Sequence, residues 1–224
     1  MFRIKICGIT NVDDALAVAR AGADAVGLNF YARSPRHVDL DAARQIAAAL
    51  PKEMVKVGLF VNADPADICR VCDDLGLDLI QLHGDEPPEL LAQLGGRPVM
   101  RALRLGTKGL QPVIEYLRRC QELAAMPSLT LLDSLIPGEY GGTGKIADWT
   151  VAKQYVAESG LPPLVLAGGL TPANVADAIR TVRPVAVDTA SGVESSPGRK
   201  DLALIGAFVT AAKSELSAIR SSRL

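Results

Sequence analysis

Apolar and β-branched residues in this chain gather in short runs, and between the runs the apolar positions recur at the three-to-four spacing of a helix face. Runs at 3–7, 25–30, 55–61, 79–83, 99–104, 129–133, 164–167 and 185–188 read as strands. Each is followed by a helical stretch, and the clearest cover 39–50, 65–75, 149–159, 172–182 and 201–217. Such alternation is the mark of a parallel sheet built from βα units. The helix starts carry fitting signals: Asp64 before Pro65, Thr171 before Pro172 and Asp148 before Trp149.

Eight units in 224 residues leave about 28 residues for each, near the minimum for a strand, a crossover helix and two short loops. The expected fold is therefore α/β, a compact (β/α)8 barrel forming a single domain over residues 1–224. An open doubly wound sheet is the alternative topology. No linker, low-complexity tract or charge block divides the chain.

Strand parity points some side chains inward. In the first strand Ile4 and Ile6 share one face, and Arg3, Lys5 and Cys7 the other. In the fourth, Ile80 and Leu82 oppose Leu79, Gln81 and His83. A barrel turns the apolar set toward its helices and the polar set inside, which puts Cys7 and His83 at the C-terminal rim where barrel enzymes hold their chemistry.

Composition narrows the function classes. With 49% apolar residues the chain can bury one sizeable core, and a net charge of -1 with 4% aromatic residues argues against nucleic acid as a partner. Met1 and Phe2 lead straight into Arg-Ile-Lys-Ile-Cys without the pattern of a secretory leader, and no apolar run reads as long enough to span a bilayer. The expectation is a cytoplasmic protein without a membrane partner. Its four cysteines are then free thiols.

Cys7 is followed at once by Gly8, a pairing that lets a thiol face a pocket while the backbone turns away. The competing reading is a small buried hydrophobe. Cys69 and Cys72 form a C-x-x-C inside a helix with no second pair nearby, and with Cys120 they read as packing residues. His37 and His83 are too few for a multi-histidine metal centre, so a mechanism without metal or other cofactor is expected. His83 can bind substrate or cap a buried network. Asp133, closing the run LTLLDS, suits a proton donor if burial raises its pKa, or a loop-tying aspartate; Asp188 poses the same choice.

Three glycine-rich segments remain: EYGGTGK, LAGGLTP and TASGVE. The first is not a P-loop, since its glycine spacing is one residue too long and Ile146 follows Lys145 where a hydroxyl residue belongs. All three follow the last three strands, where a barrel can aim backbone N–H groups and a short helix N-terminus at one phosphate. The candidates are Gly142, Gly144, Gly168, Gly169, Ser191 and Gly192. Across the mouth, Arg36 of YARSPRHV offers a fork of donors to a planar carboxylate, or is simply a solvated loop arginine.

At these residues the chain resembles the phosphoribosylanthranilate isomerase family, the metal-free barrel enzymes of tryptophan biosynthesis. KICGIT, GADAVGLNFYARSPR, VGLFVN, QLHGDE, LLDS, YGGTGK, LAGGLTPANV and SGVESSPGRKD all look like family motifs in the family's order and spacing. The resemblance implies an Amadori rearrangement of N-(5-phosphoribosyl)anthranilate to 1-(2-carboxyphenylamino)-1-deoxyribulose 5-phosphate. It further implies Asp133 as general acid, Cys7 as general base, Arg36 on the anthranilate carboxylate, His83 and Asp188 as substrate contacts, and the glycine loops on the phosphate. The expected partner is a small phosphosugar, with the chain a monomer or homodimer.

One departure is visible: the segment VDTA before SGVE ends in Ala190 where the family usually has serine, so Ser191 and Gly192 are expected to act through backbone groups. Indole-glycerol-phosphate synthase, another phosphosugar isomerase, and a silent metabolite-binding barrel are the rival readings. The synthase wants catalytic lysines and a glutamate at strand ends, where this chain has Cys7 and Asp133.

Overall fold

A computed structural model describes residues 2–106, 109–134 and 148–221. Eight parallel strands close on themselves: β1 (Ile4–Cys7), β2 (Ala25–Asn29), β3 (Val55–Phe60), β4 (Leu79–Leu82), β5 (Val99–Leu105), β6 (Leu129–Ser134), β7 (Leu164–Leu166) and β8 (Ala186–Thr189). The seam is β8 against β1, with Lys5 opposite Asp188. Closure excludes the open-sheet alternative. Each strand falls within a residue or two of its predicted run.

Among the described residues the helices are α1 (Val12–Ala21), α2 (Leu40–Ala49), α3 (Pro65–Leu75), α4 (Pro88–Leu91), α5 (Gln111–Glu122), α6 (Trp149–Ala157), α7 (Val175–Val182) and α8 (Leu202–Ser221). Their starts follow the chain's punctuation. Asp39, Asp64 and Asp148 each accept a hydrogen bond from a first-turn N–H of α2, α3 and α6. α7 begins three residues later than its Pro172 suggested, because Asn174 turns its side chain back to the preceding loop, accepting from Thr171 N at 2.8 Å and donating to Gly169 O at 3.0 Å. After β8 come a 3-10 turn at Ser191–Val193 and a small antiparallel hairpin, β9 (Glu194–Ser196) and β10 (Arg199–Lys200), too short to leave a periodic signal.

Two apolar layers hold the barrel. Ile4, Ile6, Ile80 and Leu82 pack outward against the helices, while Ala25, Val57, Leu79, Met100, Leu131 and Val165 fill the interior. The parity expectation therefore holds for β1 and β4. The interior filling stops partway up, and above it Lys5, Cys7, Gln81, His83, Asp133 and Asp188 form a buried polar tier.

One expectation fails. Leu202–Ile219 in α8 is long and apolar enough by length and composition to cross a membrane. The expectation of no such segment weighed uninterrupted apolar runs, which Lys213 and Glu215 break, whereas alanines such as Ala203, Ala207 and Ala211 keep the mean hydropathy high. Ile205, Phe208, Val209, Ala212 and Leu216, at helical spacing, are buried where α8 packs on α1, α7 and β1.

Candidate active site

The turn after β1 explains why a glycine follows the rim cysteine. Gly8 has φ +73, and a Cβ there would sit 2.6 Å from Arg36 Cδ. Both the backbone angle and the arginine stem lying across it exclude a side chain. Gly8 N and Ile9 N donate to Gly27 O, fixing the turn to β2. Arg36 is thereby drawn in beside Cys7.

Cys7 is buried against Leu59 and Val61, with Tyr31 and Ala190 packed around it. Below it, fully buried Lys5 donates to Asp188 Oδ1 at 2.9 Å. Burial pushes the Cys7 thiol up, the Lys5 ammonium pulls it down, and the Asp188 carboxylate pushes it up again. The balance lies above the ordinary thiol range.

Across the barrel, His83 Nε2 lies 3.3 Å from Asp133 Oδ2. Gln81 Nε2 meets His83 Nδ1 at 2.8 Å, and an amide N–H donating there makes Nδ1 the acceptor and leaves the ring proton on Nε2, toward Asp133. His83 thus belongs to a buried network and stands just past the end of β4, at the rim. Gln81 Oε1 and His83 Nε2 are buried without an aligned hydrogen bond, an unmet demand that a polar ligand can satisfy.

The loop carrying His83 is braced by groups that sequence reasoning did not single out. Buried Arg101 donates to Leu82 O at 2.9 Å, Gly84 O at 3.1 Å and Glu86 Oε2 at 2.8 Å, and its guanidinium lies over the Tyr116 ring. Glu86 in turn accepts from Asn62 N and Gly84 N. Arg104, paired in register with Asp133, bonds Gly84 O and Asp85. The signal available in the sequence was the QLHGDE motif itself, but of the partners of Glu86 only Gly84 lies within it; Asn62 follows β3 and Arg101 is on β5.

Arg36 is buried rather than solvated. Its Nε and Nη2 grip Glu194 Oε1 and Oε2 at 2.9 and 2.7 Å, and Lys200 Nζ reaches Glu194 Oε1 at 2.7 Å and Ala190 O at 3.1 Å. Burial alone would push the Glu194 carboxyl up; Arg36 and Lys200 overcome it and hold it below the usual range. Lys200 is pushed down by its burial against the pull of Glu194. Glu194 and Lys200 were visible only as part of a motif. Asn29 completes the arrangement by holding Tyr31 N and Ser34 Oγ, and Ser34 Oγ accepts from Arg36 N.

Two of the three glycine loops meet. Gly168 and Gly169 have φ +85 and +65, and a Cβ on Gly192 would fall 1.9 Å from Leu170 O. Thr189 Oγ1 donates to the same Leu170 carbonyl at 2.7 Å. The loop after β7 is thus pressed against the 3-10 turn holding Ser191 and Gly192, and Ala190 supplies that turn with no side-chain cap. Gly142 and Gly144 lie outside the described residues.

The remaining thiols stand apart from this site. Cys72 and Cys120 are pushed up to about 11 by burial, and Cys69 accepts a hydrogen bond from Arg97.

The chain has relatives among known proteins along nearly its whole length. Residues 4–211 match the family model of N-(5'-phosphoribosyl)anthranilate (PRA) isomerase. The N-(5'-phosphoribosyl)anthranilate isomerase of Acidithiobacillus ferrooxidans is 49% identical over 210 residues, covering 93% of this chain and 96% of the relative. Phosphoribosyl anthranilate isomerase from Thermotoga maritima superposes with a TM-score of 0.82 at 40% identity, covering 96% of this chain and all of that one. A phosphoribosyl anthranilate isomerase solved with reduced 1-(o-carboxyphenylamino)-1-deoxyribulose 5-phosphate superposes with a TM-score of 0.79 at 38% identity, with coverage of 96% and 100%.

Proposed function

The chain belongs to the N-(5'-phosphoribosyl)anthranilate isomerase family of tryptophan biosynthesis, and from that premise we propose that Cys7 and Asp133 carry its rearrangement as base and acid. What supports the reading is one juxtaposition. A thiol from β1 and a carboxyl group from β6 face the same polar tier from different sides of the barrel, between an apolar wall and a pair of glycine loops.

Asp133 protonates the ring oxygen of the phosphoribosyl group as the bond from that oxygen to C1 breaks and the anthranilate nitrogen lone pair closes an iminium. The Cys7 thiolate then takes the C2 proton, and the C–H electrons form the C1–C2 double bond of an enolamine while the iminium electrons return to nitrogen. Tautomerisation gives the ketone. His83 steadies Asp133, and Asp188 contributes to the sugar side of the site. Oxidation at C2 is balanced by reduction at C1 within the same molecule, so the step needs no external oxidant or reductant.

The phosphate is held by backbone N–H groups of Gly168, Gly169, Ser191 and Gly192, joined by Gly142 and Gly144. Arg36 presents its Nη1–Nη2 edge to the anthranilate carboxylate, its other edge being held by Glu194. Leu59, Val61 and Tyr31 provide the apolar surface for the aromatic ring. The reading extends to one cytoplasmic barrel domain over residues 1–224, acting as a monomer or homodimer on a small phosphosugar, with neither nucleic acid nor a membrane as partner.

The direct test follows the fluorescence of phosphoribosylanthranilate with purified protein: protein-dependent loss of emission is expected, and its absence overturns the reading. Arg36→Ala separates the two ends of the site. It should weaken binding of a carboxylated aryl product analogue by about 10- to 100-fold, the worth of a charged hydrogen-bonded pair, and leave binding of inorganic phosphate unchanged. Equal losses for both ligands would remove Arg36 from the carboxylate.

A further inference from the structure

We infer that Lys5 is a positioning residue for the reaction, its buried ammonium serving as counter-ion to the Cys7 sulfur. The inference rests on the reading of Cys7 as base. Lys5 leaves β1 two residues before Cys7 on the same inward face, with no exposure to solvent. Burying an ammonium is costly even after relaxation, and among the described residues its carboxylate contact, Asp188, uses one of three donors. Two donors remain for other neighbours.

Gly27 on β2 locates the nearest of these. A Cβ there would lie 2.6 Å from Cys7 Sγ and 3.0 Å from Lys5 Nζ. Sulfur and ammonium therefore converge over Gly27, the one position of β2 that lacks a side chain, where the ammonium charge favours the ionised sulfur.

Other groups facing the sulfur do not replace Lys5. From β8 comes Asp188, whose charge opposes ionisation of the thiol. Lys200, beside the hairpin, acts through charge alone, and its Nζ is engaged by Glu194 and Ala190. Arg36, over Gly8, is gripped by Glu194, and the phenol of Tyr31 packs from the loop after β2. β3 offers only Leu59, and Val61 follows it. Among the described residues Lys5 combines a buried positive charge with a place two residues before Cys7 on the same strand face, meeting the sulfur over Gly27.

A role confined to neutralising Asp188 makes a different forecast, so the test is run where Asp188 carries no charge. Ultraviolet thiolate absorbance is titrated in Asp188→Asn and in Lys5→Met/Asp188→Asn, each corrected by the same variant carrying Cys7→Ala. The neutral double variant leaves no lone buried charge to unfold the barrel. Removing Lys5 is expected to raise the Cys7 midpoint by about 1 to 3 pH units, with the alkaline limb of kcat/KM against pH moving by the same amount. Coincident midpoints with and without Lys5 overturn the inference. A midpoint that moves while the kcat/KM limb stays in place overturns instead the assignment of Cys7 as base.

Discussion

Cys7→Ala should lower kcat by about 10²- to 10⁴-fold, the range contributed by a positioned proton acceptor, while affinity for a product analogue holds. Alanine removes only the sulfur from a site already walled by Leu59 and Val61, so the phosphate and carboxylate ends keep their partners. The pH dependence of the parent enzyme sharpens the forecast. Because burial and Asp188 outweigh Lys5, the thiol is held above its ordinary range and is largely protonated near neutrality. Turnover needs the thiolate and the protonated acid together, so the gain in thiolate as pH rises is offset by loss of that acid, and kcat/KM should fall only on the alkaline side, where the thiol itself titrates. Initial rates over a pH series for both proteins decide the matter: turnover in the alanine variant equal to the parent's would release Cys7 from the chemistry.

Asp133→Asn is the complementary experiment, and its loss should also be about 10²- to 10⁴-fold in kcat. Asparagine keeps the shape of the side chain and a polar atom toward His83, but it has no acidic proton to give the departing ring oxygen. KM should change little, because the phosphate loops and Arg36 are untouched. Thermal unfolding midpoints close to the parent's would show that the defect is chemical, and unimpaired kcat would dismiss Asp133 as the acid. Paired with Cys7→Ala, the two losses should not multiply in the double variant, since either step alone blocks the sequence.

Most of the barrel was legible because local signals agreed with one another. α3 runs over Pro65–Leu75 as read, since Asp64 and Pro65 mark its start and left-handed Gly76 its end. The start of α7 was misjudged because the side chain of Asn174 is spent on the preceding loop, a choice that Thr171 and Pro172 do not reveal. For the site, parity was enough to turn Cys7, His83 and Lys5 inward. Their partners were not legible: Lys5 and Asp188 are 183 residues apart in sequence, and Arg36 and Glu194 are 158 apart. Buried ion pairs of this kind arise only when closure of the sheet brings first and last strands together.

The grip of Glu194 on Arg36 has a consequence for how a ligand is captured. A free surface arginine surrenders its rotational freedom when it binds, typically about 0.5–1.5 kcal/mol for one side chain. Here that freedom is already gone before any ligand arrives, surrendered during folding to a carboxylate from the far end of the chain. If Arg36 is the carboxylate's partner as proposed, the arm waits in its working pose, and an incoming anion meets a rigid receptor.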